Sequence, residues 1–92
     1  MQQLAKAIGA RIRIERKARN LSQDALALAC SIDRSYMGRI ERGEVNITVE
    51  KLYVIAGVLA CDPRSLFPDT VVDFGLSIVP EGKGTNDDSP AE

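Results

Sequence analysis

Histidine is absent from this 92-residue sequence, which weakens most enzymatic interpretations because histidine is the commonest general base near neutral pH. Only two cysteines occur, Cys30 and Cys61, and they form no CxxC pair. A zinc site or a disulfide framework is therefore not expected. No apolar run is long enough to span a bilayer, and residues 1–19 carry charges where a secretory signal has an apolar segment. These absences favour a cytoplasmic protein without enzyme activity, metal, cofactor or small-molecule substrate.

Charge is divided unevenly along the chain, although the whole sequence has a net charge of −1. Residues 1–68 contain 11 lysines and arginines against 7 aspartates and glutamates, whereas residues 69–92 contain 1 against 6. The apolar fraction of 45% is ordinary for a folded protein. The sequence therefore indicates one small, mildly basic domain in residues 1–68, followed by an acidic end.

Apolar periodicity and capping residues predict an all-α domain of five helices in residues 1–68. The first helix spans about residues 3–19, with Leu4, Ile8 and Ile12 on one face and Asn20 as a left-handed cap. Each later helix begins at a side chain that can accept a hydrogen bond from the first turn. These four N-caps are Ser22, Asp33, Thr48 and Asp62.

The chain changes character after residue 68. Residues 69–79 alternate apolar and polar side chains, which favours a β-strand or a dimerisation segment. Residues 80–92 are rich in proline, glycine, serine and acidic residues, which predicts a disordered tail. The apolar side chains near this end either fold back onto the domain or pair with a second subunit, and we favour the pairing. They are Leu66, Phe67, Val71, Val72, Phe74 and Leu76.

The second and third helices are separated by a very short turn, which predicts a helix-turn-helix unit. Ala27 has to be small because the third helix crosses it closely, and Ile32 anchors the turn in the core. Met37 and Ile40 are expected to be buried. The opposite face of the third helix then carries Arg34, Ser35, Gly38 and Arg39. In such a unit, the outward residues at the start of this helix reach base edges in the major groove.

Residues 8–67 resemble the Cro/phage-repressor (XRE) family of helix-turn-helix regulators, whose domains have a compact, lambda-repressor-like fold. The matching stretches are RKARNLSQ, ALA, IDRSYMGRIERG, NITVEKL and CDPRSLF. Within the family, IDRSY, IERG and NIT are similar to the controller proteins of restriction–modification systems. The resemblance implies a repressor or controller that binds a palindromic operator in double-stranded DNA as a homodimer.

The resemblance also implies roles for individual residues. Base edges would be contacted by Arg34, Ser35 and Arg39, since the arginine fork matches the O6 and N7 acceptors of guanine. The DNA backbone would be contacted by Gln23, Tyr36, Arg42 and Asn46. A partly buried ion pair between Arg16 and Glu41 would tie the first helix to the third.

The sequence departs from the family pattern at several positions. Ser31 replaces a usual glycine in the turn, so we expect a positive φ there. Glu15 replaces an aliphatic residue, Leu28 replaces a polar one, and Val45 replaces an arginine common in controllers. Two alternative functions stay open: an antitoxin that represses its own operon, and a protein–protein interaction module that docks through Leu28 and does not bind DNA.

Overall fold

The computed structural model describes residues 2–69, and the chain in that range is helical. The elements are α1 (Gln2–Ala18), α2 (Gln23–Ala29), α3 (Arg34–Glu41), α4 (Val49–Leu59) and a 3-10 helix (Pro63–Leu66). The predicted all-α class is confirmed for this range. Residues 70–92, which include most of the predicted strand or dimerisation segment and the whole predicted acidic tail, lie outside the described residues.

The predicted fifth helix is a 3-10 helix of four residues instead of an α-helix. Pro63 begins it, and Phe67 ends it in an extended conformation with φ −96° and ψ 140°. Pro68 follows directly, and a proline disfavours the α conformation of the residue before it. The segment between the two prolines is therefore too short to build an α-helix.

All four predicted N-caps are confirmed. The side chain of Asp33, for example, accepts a hydrogen bond from the backbone N–H of Tyr36 at 3.1 Å. The equivalent bonds at the other three caps measure between 2.9 and 3.1 Å. Each element after α1 thus begins where a side chain satisfies an amide that the helix itself leaves unpaired.

Each α-helix ends in the same left-handed turn. The left-handed residues are Asn20, Ser31, Gly43 and Ala60, with φ between 55° and 73°. Each donates its N–H to the carbonyl three residues earlier, and the next residue donates to the carbonyl five residues earlier. This pair of bonds is the Schellman motif. The residues after the left-handed positions are Leu21, Ile32, Glu44 and Cys61; the three apolar ones pack against the core, whereas Glu44 is exposed.

The core lies where the helices meet, and every helix contributes to it. Its fully buried large side chains are Ile12, Leu26, Met37, Leu52, Ile55, Leu59 and Leu66. Leu66 corrects one expectation: we had placed it among side chains available for pairing, but it is buried in its own domain. Phe67, the next residue, is 44% exposed.

The helix-turn-helix unit consists of α2 and α3. Ala27 is 1% exposed and Ile32 is partly buried against the core, as their predicted packing roles require. α1 crosses α3 closely at Gly9, where a Cβ atom would lie 2.4 Å from the carbonyl oxygen of Ile40. The crossing holds α3 against the scaffold and leaves its other face open.

Candidate nucleic-acid interface

The open face of α3 carries the three residues predicted to contact DNA bases. Arg34, Ser35 and Arg39 are all exposed, and the side chains of the two arginines are 75% and 52% accessible. They face away from the core because Met37 and Ile40, on the opposite side of the helix, are buried. This is the geometry that base contact requires, and the contact itself stays a prediction.

Gly38 differs from our expectation, because it is buried although we had placed it on the outward face. A Cβ atom here would lie 3.1 Å from Nη1 of Arg42 and 3.3 Å from Oε1 of Gln23. These two long side chains cover the glycine. The polar depression that results between α2 and α3 is lined by Gln23, Asp24, Arg34, Ser35, Gly38 and Arg42.

Arg16 and Glu41 join α1 to α3. Nε of Arg16 donates to Oε2 of Glu41 at 2.7 Å, and Nη2 donates to Oε1 at 2.9 Å. Only 9% and 3% of the two side chains are exposed. The hydrogen bond to Glu41 raises the pKa of Arg16 above its ordinary value. Both charges are compensated inside the protein, so this pair orients the scaffold and lies away from the exposed face.

Gln23, the first residue of α2, binds to the same carboxylate. Its Nε2 atom donates to Oε1 of Glu41 at 3.0 Å. The amide group has two N–H donors, so this bond occupies one of them. The position of Gln23 at the edge of the polar depression is therefore set by α3 as well as by its own helix.

The remaining residues predicted to contact the DNA backbone have different surroundings. Tyr36 is partly buried against the core, and Nζ of Lys51 lies 5.9 Å from the centroid of its ring. Arg42 is exposed at the C-cap of α3 and lines the polar depression. Asn46 is exposed in the loop before α4, where it lines a separate and mainly apolar depression. The structure thus groups Arg42 with the open face of α3 and leaves Asn46 apart from it.

Two carboxylates that our sequence reasoning missed lie among the arginines. Oδ1 of Asp24 is 3.3 Å from Nε of Arg34. Oε2 of Glu44 accepts from Nε of Arg42 at 2.7 Å, and Oε1 lies 3.9 Å from Nε of Arg39. The hydrogen bond from Arg42, together with the charges of both arginines, lowers the pKa of Glu44. This carboxylate is therefore ionised at neutral pH.

The departures from the family pattern are visible in the structure. Ser31 has a φ of 55°, the positive value expected where glycine is usual. Glu15 accepts a hydrogen bond from Nη1 of Arg19 at 2.6 Å. Leu28 is 82% exposed on α2, and Val45 is partly buried against the core.

Among residues 2–69, no group of histidine, cysteine, aspartate and glutamate side chains is arranged to hold a metal ion. No described helix is long and apolar enough to cross a membrane. Both cysteines are free thiols, and burial raises the pKa of Cys30, which keeps its thiol protonated.

The short α2 and α3, their tight turn and the open polar face of α3 define a helix-turn-helix domain. Residues 12–66 match the helix-turn-helix family HTH_3, and the chain belongs to this family.

Three controller proteins are similar to this chain. Control protein C.BamHI from Bacillus amyloliquefaciens is 34% identical over 53 residues, which are 58% of this chain and 65% of that protein. Control protein C.SmaI from Serratia marcescens is 40% identical over 48 residues, 52% of this chain and 57% of that protein. The chain thus spans less than two thirds of either relative.

The third is a crystal structure, that of the restriction–modification controller protein C.AhdI from Aeromonas hydrophila. It superposes with a TM-score of 0.67 at 40% sequence identity, covering 68% of this chain and 96% of that chain. The resemblance to XRE-type regulators, and to the controller proteins among them, is therefore confirmed.

Proposed function

We propose that this protein is a sequence-specific DNA-binding transcriptional regulator of the controller type, and that it acts by binding without catalysis. The observation that carries the proposal is the exposed, arginine-bearing face of α3 in a chain that belongs to the helix-turn-helix family. The eight residues of α3 make a helix about 12 Å long. The major groove admits one such helix.

In the proposed complex, the residues divide by the part of DNA that they touch. Arg34, Ser35 and Arg39 contact base edges, and each arginine that binds a guanine through two hydrogen bonds contributes about 1–3 kcal/mol of discrimination. The backbone is held by Gln23, Tyr36, Arg42 and Asn46. These contacts supply affinity that depends on salt, and the base contacts supply sequence preference.

We further propose that the protein binds a palindromic operator as a homodimer. Three apolar side chains on α4, those of Val49, Tyr53 and Val54, are between 47% and 67% exposed, which supports a contact with another chain. A two-fold dimer would place its two recognition helices in half-sites about 34 Å apart. The pairing predicted for the apolar residues at 71–76 belongs to this proposal, as does a cytoplasmic location.

The function is tested by selecting duplexes from a random pool with the full chain and titrating the enriched sequence at two salt concentrations. We expect a palindrome, and a log–log salt slope of roughly −0.9 per phosphate neutralised. Failure to bind any duplex at low salt would contradict the proposal and favour the alternative protein-interaction module, for which the exposed Leu28 would be the first contact to examine. An antitoxin-type autorepressor would bind DNA in the same way, and differs only in the genes that it controls.

The proposed base contact is tested with Arg34→Ala, and Arg42→Ala is the matched control. Arg34→Ala should relax selection at one or two positions of each half-site, because a base-specific hydrogen-bond pair is lost. Arg42→Ala should weaken binding to all duplexes about equally and reduce the salt slope by about 1. If Arg34→Ala behaved like the control, Arg34 would be a phosphate contact.

A further inference from the structure

Carboxylates are unexpected on a surface that binds phosphate, yet the arginines on the open face of this protein are paired with them. Asp24 lies beside Arg34, and Glu44 lies beside both Arg39 and Arg42. All these side chains are at least 49% exposed. Since exposed ion pairs contribute little to folding stability, stability alone does not account for this arrangement.

The position of Glu44 is set by the end of α3. Its backbone N–H donates to the carbonyl of Arg39 at 2.9 Å, within the left-handed turn formed by Gly43. At the other three helix ends, the residue in this position is apolar and packs against the core. Glu44 makes no such contact, and its carboxylate instead turns to the two arginines.

Each arginine has a contact with its carboxylate at Nε, with separations of 3.3 Å for Arg34, 3.9 Å for Arg39 and 2.7 Å for Arg42. Arg42 also donates from Nη2 to Oε1 of Glu44 at 3.3 Å. The contacts of Arg34 and Arg39 are longer than that of Arg42, so these two arginines are held less tightly. The guanidinium fork is the part of arginine that matches the two acceptors of guanine.

We infer that Asp24 and Glu44 are positioning residues that determine specificity: they lie beside Arg34 and Arg39, favour base contact by these two arginines and oppose their contacts with phosphates of other sequences. This inference rests on the proposed function. On the operator, an arginine can bind a base while it keeps its carboxylate partner. On any other duplex, it has to turn toward a phosphate, which breaks the ion pair and leaves a carboxylate close to the DNA backbone.

The test compares Glu44→Gln and Asp24→Asn with the full-length wild type. Each variant is titrated with the selected operator and with a scrambled duplex of the same composition, at two salt concentrations. We expect affinity for the scrambled duplex to rise about two- to fivefold, the size of one exposed ion pair. For Asp24→Asn, we expect affinity for the operator to stay constant or fall. For Glu44→Gln, we expect it to rise less than affinity for the scrambled duplex, because Arg42, which also pairs with Glu44, contacts the backbone of both duplexes. The salt slope on the scrambled duplex should steepen by about 0.9 for each arginine that gains a phosphate contact.

Asp62→Asn is the matched control. Asp62 also pairs with an arginine, Nη2 of Arg64 at 2.8 Å, and it caps the 3-10 helix, which packs against α1 and α4. Asparagine keeps the N-cap, so only the charge changes. This variant should leave the ratio of the two affinities unchanged. Thermal unfolding of all three variants should match the wild type.

The inference is overturned if Glu44→Gln and Asp24→Asn change both affinities by the same factor, or change them as little as Asp62→Asn does. If the wild type still prefers its operator, either of these results would leave the proposed function intact. A wild type that prefers no duplex would overturn the proposed function, and this inference with it.

Discussion

Three of the four helices end at a residue that carries a Cβ atom in a left-handed conformation, namely Asn20, Ser31 and Ala60. Asparagine tolerates this region because its short polar side chain can bond locally, but an alanine has no such compensation. Only at Gly43 does the chain use the residue best suited to the turn, and a Cβ atom there would lie 2.5 Å from Cα of Lys6. Glycine is therefore required at the third helix end, and the others carry strain.

We predict that Ala60→Gly increases the free energy of unfolding by about 0.5–1 kcal/mol. A left-handed conformation costs an alanine about 1–2 kcal/mol, and the greater entropy that glycine loses on folding offsets part of the gain. Urea denaturation measures the change. Ala10→Gly, at an exposed position inside α1, is the control and should decrease stability by about 1 kcal/mol. A loss of stability in both variants would contradict the prediction.

Like the seven-residue α2, α3 is a short helix with little support of its own. It has eight residues, whereas isolated helices shorter than about 12 residues are marginal in water. Its conformation therefore depends on packing through Met37 and Ile40, on the cap at Asp33 and on the left-handed turn at Gly43. These contacts hold the short helix in place while its arginines stay exposed.

We predict that Asp33→Ala decreases the free energy of unfolding by about 1 kcal/mol, because the N–H of Tyr36 loses its acceptor at the start of α3. Asp33→Asn is the matched control: it keeps an acceptor oxygen and should lie close to the wild type. Chemical denaturation monitored by circular dichroism compares the three proteins. Equal losses in both variants would mean that the charge of Asp33, and not the cap, stabilises the helix.

At the scale of the described domain, exposed arginines and a group of exposed apolar side chains lie on different helices. The arginine-bearing face is formed by α2 and α3, and the exposed apolar side chains of Val49, Tyr53 and Val54 lie on α4. A Cβ atom at Gly57, on the same helix, would have no neighbouring heavy atom within 4 Å. A second chain could therefore approach this part of α4 closely.

We predict that the double variant Tyr53→Glu/Val54→Glu is a monomer at concentrations where the wild type is a dimer. Two charges in an apolar contact lose hydration that the partner cannot replace. Sedimentation measures the molecular mass. Ile14→Glu, which changes an apolar residue 64% exposed on α1, is the control and should remain dimeric. If only truncation after residue 69 reduced the mass, the pairing would belong to residues 70–92 instead.

Much of the fold could be predicted from the sequence because the deciding interactions are local. The spacing of apolar residues predicted the helices, and each of the four N-cap hydrogen bonds joins residues only two or three positions apart. The buried face at Met37 and Ile40 followed from the same apolar spacing. The positive φ of Ser31 was expected from the family resemblance, because glycine is usual at that position. The place of the fifth helix could also be predicted, because Asp62 caps it, but its 3-10 type was not predicted.

Tertiary structure decided which side chains meet. Gly38 is buried because Gln23 and Arg42 cover it, and the pairing of Asp24 with Arg34 depends on how α2 packs against α3. The contacts of Glu44 follow from the direction in which the chain leaves α3. Periodicity assigns a residue to a face of its own helix, but the distance between two such faces depends on how the helices pack. The sequence therefore determined which face of α3 carries the arginines. Only the packing of the helices determined that carboxylates lie beside them.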